Sequence, residues 1–193
     1  MFSPISKHVI KKTKDDGKPL SVGIVGFGGL GHVGAKIAKA AGANVTVISR
    51  SLAKADAAKE MGISILAHTD EAVMKEAAQT FDVIFDTVAV EHKIDTIIQT
   101  LKKRGTYVLI GAIPQPLAVS PFTLIFNNWS LEGSLVGGIK ETNEMLNFCA
   151  DHSVTPDIKV ISAKDANAHF IDMLEGKSDA TRAVIDMSTI GDL

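Results

Sequence analysis

Residues 22 to 51 read VGIVGFGGLGHVGAKIAKAAGANVTVISRS, and the hexapeptide Gly26-Phe27-Gly28-Gly29-Leu30-Gly31 within them constrains the fold more than any other stretch. It is an instance of G-x-G-x-x-G, preceded by the apolar run SVGIVG and followed by Leu30, Val33, Ile37 and Ala41 at helical spacing. Gly42 punctuates that helix, and the β-branched run NVTVIS comes next. Strand, glycine turn, helix and strand together form a βαβ unit. In such a unit Gly26 permits the tight turn, Gly28 lets backbone approach a pyrophosphate, and Gly31 allows the helix to pack close to the strand. The first-turn N–H groups around Gly29 and Leu30 and the positive end of the helix dipole face the phosphates. Phe27 reads as packing, and His32 as a helix-start residue near the phosphates.

The same rhythm continues along the chain. Helices are predicted near residues 52–61, 70–79, 93–103 and 120–127, with strands at ISIL, FDVIFDTV, TYVLIG and SLEGSLVG between or after them. That makes six strands joined by helical crossovers, which pair in parallel with right-handed connections. The expected fold is α/β, a six-stranded, doubly wound parallel Rossmann sheet. A chain of 193 residues with 46% hydrophobic content is long enough for one such core. The run Lys102-Lys103-Arg104 before Gly105 reads as the end of the 93–103 helix, where cations complement the dipole.

The end of the second strand decides which dinucleotide fits. An NAD site usually has Asp or Glu about 20 residues after the glycines, accepting from both ribose hydroxyls. This chain has Ser49-Arg50-Ser51 there, and Lys54 shortly after. A carboxylate repels a 2′-phosphate, whereas small hydroxyls leave room for one and Arg50 and Lys54 offer charge-assisted donors. The pattern favours NADP(H) over NAD(H).

Other chemistry finds little support. A net charge of −2 and a pI near 6.3 supply no basic field for nucleic acid. No apolar stretch reaches the roughly 18 residues of a membrane span, and the N-terminus has no apolar signal core. The one cysteine, Cys149, excludes an intrachain disulfide and fits a cytoplasmic location. It lies among Met145, Leu146 and Phe148 and reads as a small apolar filler. His8, His32, His68, His92, His152 and His169 show no metal-ligand spacing. Asp82 and Asp86 flank the fourth strand and read as settling its ends.

The stretches GFGGLGHVGAKIAKAAGANVTVISRS and KKRGTYVLIGAIPQPLAVSPFTLIFNNWSLEGSLVGGIKETNEMLNFCADHSVTPDIKVI, with the opening FSPI, resemble the medium-chain zinc-dependent alcohol dehydrogenases of the cinnamyl alcohol dehydrogenase type. The likeness runs from Phe2 to about Asp186, with EGSLVGGIKET its most specific part. The resemblance implies NADP-linked interconversion of primary alcohols and aldehydes, with zinc polarising the carbonyl. It matches Ser49, Arg50, Ser51 and Lys54 to the 2′-phosphate region. It also matches Val88 and Ala89 to the loop after the fourth strand, Ile110 and Gly111 to the end of the fifth, and Ser134 and Leu135 to the segment beside the nicotinamide carboxamide.

Family members carry their zinc ligands on an N-terminal domain that these residues lack, so zinc is expected only there, and this chain alone is expected to be inactive. The implied organisation is a lead-in over 1–20, the cofactor domain over 21–156, and a segment over 157–193 that returns to the catalytic domain. In that segment IKVI and RAVIDM bracket a helix and have lost their partner sheet. The sixth strand is an edge strand that relatives pair across a two-fold axis, and Trp129, Leu131 and Leu135 make it apolar, so a homodimer is expected. The competing readings are a stand-alone NADP(H)-binding or redox-sensing module and a Rossmann-like methyltransferase. The latter also normally needs an acid where Ser49-Arg50 stand.

Overall fold

In the computed structural model, which describes residues 1–12, 17–175 and 182–192, six short runs of β-branched and apolar residues become strands. They are β1 (Ser21–Val25), β2 (Asn44–Ser49), β3 (Ser64–Ala67), β4 (Phe81–Asp86), β5 (Leu101–Leu109) and β6 (Ser130–Gly133). The sheet order is β3-β2-β1-β4-β5-β6, and every neighbouring pair is parallel. This is the six-stranded, doubly wound arrangement the sequence implies, with the order reversing between β1 and β4.

Helices cover both faces, which explains why the central strands read as continuous apolar runs rather than alternating ones. Successive residues of one strand still point to opposite faces. Ile24, Val47 and Val83 join a core with Phe85, Val108 and Ile37, while Val25, Ile48 and Ile84 join one with Tyr107, Ile97 and Leu101. The helices of this unit are α1 (Phe2–Ile5), α2 (Gly29–Ala40), α3 (Ala55–Glu60), α4 (Glu71–Glu76), α5 (Ile94–Ile98), α6 (Pro121–Asn127) and α7 (Ile139–Asp151). Helix α1 runs on as a wider π-type turn over Ser6–Ile10 and inserts Ile5 and Val9, both fully buried, into the first core.

Helix α2 turns Gly31, Gly34, Ala35 and Ala38 inward. Small residues at this spacing let the helix lie close on the sheet. It ends where Gly42 takes φ +86°, with Gly42 and Ala43 N–H groups donating to Lys39 and Ala38 carbonyls. Helix α4 begins at Asp70, whose carboxylate accepts from the N–H groups of Ala72 and Val73.

Two sequence readings need correction here. The 93–103 helix stops at Ile98, and Lys102, Lys103 and Arg104 belong to β5. Leu101 pairs with Phe81 and Thr106 with Val83, so the basic run forms a bulge in the ladder, with Arg104 at φ +65°. Burial of Leu101 pulls the chain into the sheet, Lys102 pairs with Asp82 at 2.9 Å, and the Lys102 carbonyl accepts from the Trp129 indole. The second correction concerns Trp129. It is only 7% exposed and packs in the second core, so it adds nothing to an apolar outer edge of β6.

The chain forms two compact units, Met1–Val154 and Thr155–Leu193. In the second, β7 (Lys159–Ser162) and β8 (Ala183–Asp186) pair with each other in parallel, with helix α8 (Ala166–Leu174) between them in sequence. The expectation that IKVI and RAVIDM stand without a sheet is therefore corrected: each is the other's partner. Residues 176–181 and Leu193, part of the 157–193 segment, lie outside the described residues.

Candidate dinucleotide site

At the carboxyl ends of β1 and β4 the glycine turn is shaped by close contacts. Gly26 takes φ +88°, a conformation that favours glycine, and its N–H donates to the Ile48 carbonyl. A Cβ on Gly26 would lie 2.9 Å from Val88 Cγ2 and 3.0 Å from Thr87 Oγ1. A Cβ on Gly31 would strike the Gly26 carbonyl oxygen. Gly28 differs from both, because a Cβ there meets no protein atom within 4 Å. Packing demands Gly26 and Gly31, whereas the bare backbone of Gly28 faces open space. That is the cradle a pyrophosphate needs at the start of α2. Gly29 is half-buried and Leu30 is 48% exposed on this rim.

Phe27 is buried, as its reading as a packing residue requires, and meets the His32 ring edge-on at 5.7 Å between centroids. His32 lies in the first turn of α2, where the sequence puts it, and is 2% exposed beside Phe27.

Ser49 closes β2, and its carbonyl accepts from the His68 N–H. Arg50 and Ser51 are exposed just beyond it. Lys54 Nζ donates to the Phe27 carbonyl at 3.3 Å, which brings this cation to the glycine turn. His68 sits behind Arg50, its pKa lowered by burial and then by the neighbouring His92. No carboxylate takes the end of β2.

On the other side of the switch point the loop after β4 holds Thr87, Val88 and Ala89. Thr87 donates through both N–H and Oγ1 to the Val25 carbonyl, at 3.1 and 2.8 Å. The Ile110 and Gly111 N–H groups donate to the Asp86 carbonyl at 2.8 and 2.9 Å, and a Cβ on Gly111 would strike Val88 backbone. The Ser134 N–H donates to the Leu109 carbonyl at 2.9 Å, and Leu135 stands 90% exposed. The structure thus gathers Gly26, Gly28, Gly31, Val88, Ile110 and Gly111 along the sheet's carboxyl ends, with Ser49–Lys54 flanking on one side and Ser134 and Leu135 on the other.

One group of residues near this crevice escaped the sequence reading. Asp86 is 1% exposed, and its carboxylate does more than settle a strand end. Its Oδ1 accepts from the Val88 N–H at 3.0 Å, and its Oδ2 accepts from the Tyr107 hydroxyl at 2.8 Å and lies 2.9 Å from His92 Nε2. Burial, then the Asp86 charge, push the Tyr107 phenol well above its ordinary range. The only sequence signal was a lone Asp six positions before a lone His, which is uninformative without the β4–β5 register.

The described residues contain no group of three or more His, Cys, Asp or Glu side chains placed to hold a metal ion, so they do not fit the family's catalytic zinc. Burial pushes the Cys149 thiol up, and its Sγ lies 3.7 Å from Met145 Sδ, a filler's environment rather than a reactive thiol's.

Known proteins share this arrangement. A sequence profile described as "Zinc-binding dehydrogenase" matches residues 29–151. The chain belongs to the zinc-binding dehydrogenases. Within them it is similar to the probable cinnamyl alcohol dehydrogenase 6 of Arabidopsis thaliana, with 43% identity over 190 residues, 97% of this chain and 51% of that protein. A cinnamyl alcohol dehydrogenase structure from Sorghum bicolor matches with a TM-score of 0.84 and 34% identity over 95% of this chain and 53% of the other. The crystal structure of CAD from Helicobacter pylori complexed with NADP(H) matches with a TM-score of 0.77 and 33% identity, again over 95% and 53%. The chain spans about half the length of the curated relatives it matches. Its six-stranded parallel sheet is the Rossmann part of this family's fold.

Proposed function

We propose that this chain is the NADP(H)-binding part of an oxidoreductase that interconverts primary alcohols and aldehydes. The carrying observation is a glycine cradle open at Gly28, next to a β2 end that holds Ser49, Arg50, Ser51 and Lys54 and no carboxylate. The nicotinamide, when bound, supplies or accepts hydride. The chain's own residues bind and orient it. Backbone N–H groups at Gly29, Leu30 and Gly31 face the pyrophosphate, Arg50 and Lys54 meet the 2′-phosphate, and Val88, Ala89, Ile110, Gly111, Ser134 and Leu135 line the nicotinamide half.

On this reading residues 21–156 form the cofactor domain and 157–193 a segment that serves the catalytic domain. Carbonyl polarisation comes from ligands elsewhere in the protein. We infer that the complete enzyme is cytoplasmic and forms a homodimer along β6. The outer edge of β6 has no strand beside it among the described residues, and Leu135 and Val136 just beyond it are each 90% exposed. Sedimentation at micromolar concentration tests the dimer, and a monomer that persists on concentrating contradicts it.

Calorimetric titration of NADPH and NADH tests the cofactor. NADPH binds at least about tenfold more tightly, the scale of one charge-assisted hydrogen bond, and Arg50→Ala or Lys54→Ala narrows the gap. Equal affinities overturn the assignment.

A further inference from the structure

The side chains that hold the loop after β4 are buried and connected to one another. Asp86 ends β4, the chain passes through Thr87 to Glu91 without regular structure, and His92 folds back so that its Nε2 lies 2.9 Å from Asp86 Oδ2. The two side chains are 6% and 1% exposed. His92 Nδ1 lies 2.8 Å from the Val90 carbonyl and Nε2 2.9 Å from Asp86 Oδ2, so both ring nitrogens have partners. From β5, Tyr107 adds its hydroxyl to the same carboxylate oxygen. The loop is thereby closed at both ends by one carboxylate: Asp86 Oδ1 holds Val88 N–H, and Oδ2 holds His92.

What this closure positions is Val88, which is wedged between the glycine turn and the end of β5. Its Cγ2 lies against Gly26, and its carbonyl lies against Gly111. In a doubly wound sheet β1–β3 serve the adenosine half of a dinucleotide and β4–β6 the other half.

We propose that His92 is a positioning residue which, through Asp86, fixes the Val88 loop as the wall of the nicotinamide half-site and sets the affinity for that half alone. This rests on the cofactor reading above. A side chain that braces only this wall changes the binding of the whole dinucleotide and leaves binding of its adenosine end untouched. A side chain that merely supports the fold changes both.

The test uses NADPH and 2′,5′-ADP as probes, the latter carrying only the adenosine half with its 2′-phosphate, on the 193-residue chain and on His92→Leu and His92→Gln. Leu removes the ring nitrogen that partners a buried carboxylate, and the expected result is a loss of about tenfold in NADPH affinity with 2′,5′-ADP affinity unchanged. Gln keeps an N–H donor for Asp86 and recovers most of the loss. If His92→Leu binds NADPH as the unaltered chain does, or loses both ligands in parallel, or if Gln rescues nothing, the positioning role is wrong. An unaltered chain that binds 2′,5′-ADP but shows no gain for NADPH overturns the half-site. One that binds neither overturns the cofactor reading and the role of His92 with it.

Discussion

The two halves of the Rossmann sheet are built by different means. Around β1–β3 the crevice is a matter of backbone: Gly26 in a left-handed turn, Gly31 against the Gly26 carbonyl, Gly28 open, and cations close to one another in sequence. Around β4–β6 it is a matter of buried side chains: Asp86, His92 and Tyr107 share one carboxylate and hold a loop that has no regular structure. The comparison teaches that a phosphate cradle can be made locally, from main-chain donors and missing side chains. A wall for a flat ring has to be braced from within the core.

That contrast can be broken by substitution. Gly31→Val drives a side chain into the Gly26 carbonyl, where only backbone can yield, and should destabilise the chain by about 3 kcal/mol or more in urea denaturation. Asp86→Ala removes the partner of the buried Tyr107 hydroxyl and of the His92 ring and should cost about 2–3 kcal/mol. Gly28→Ala separates ligand from fold. It should leave stability within about 0.5 kcal/mol, because its Cβ meets nothing, while weakening NADPH about tenfold. A destabilised Gly28→Ala would mean that the turn is a packing device like Gly31.

Acidification gives the smallest effect and touches both halves. Burial is the first cause of the lowered pKa values of His8, whose ring reaches Glu132 on β6, and of His68, beyond β3. The unfolded chain holds more protons on these groups than the folded chain. Their contribution is therefore complete above a pH of about 6.5 and is lost as the pH falls below it. Denaturation midpoints at neutral pH and at mildly acidic pH, before carboxylates titrate, check the sign, and His8→Gln with His68→Gln should flatten the difference.

The first half was legible because its determinants are contiguous. The glycine spacing, the flanking β-branched runs and Ser49-Arg50 fall within thirty residues, and each has a local physical meaning. Parallel pairing followed from the helical crossovers. The second half was less legible because its determinants are distant. Asp86 meets Tyr107 only through the β4–β5 register, which pairs Asp86 with Leu109 and Ile84 with Tyr107. Lys102-Lys103-Arg104 misled for the same reason: a basic run suits a helix end, and only the pairing of Leu101 with Phe81 turns it into a strand bulge.

The central claim is that one dinucleotide spans both halves across the β1–β4 switch point. Amide chemical-shift mapping of the 15N-labelled chain during NADPH titration tests it most directly. The account predicts saturable shifts in Gly26–Gly31, Ser49–Lys54, Val88–Ala89, Ile110–Gly111 and Ser134–Leu135 together. Shifts confined to one half, or clustered instead at the basic bulge of Lys102–Gly105, would contradict it.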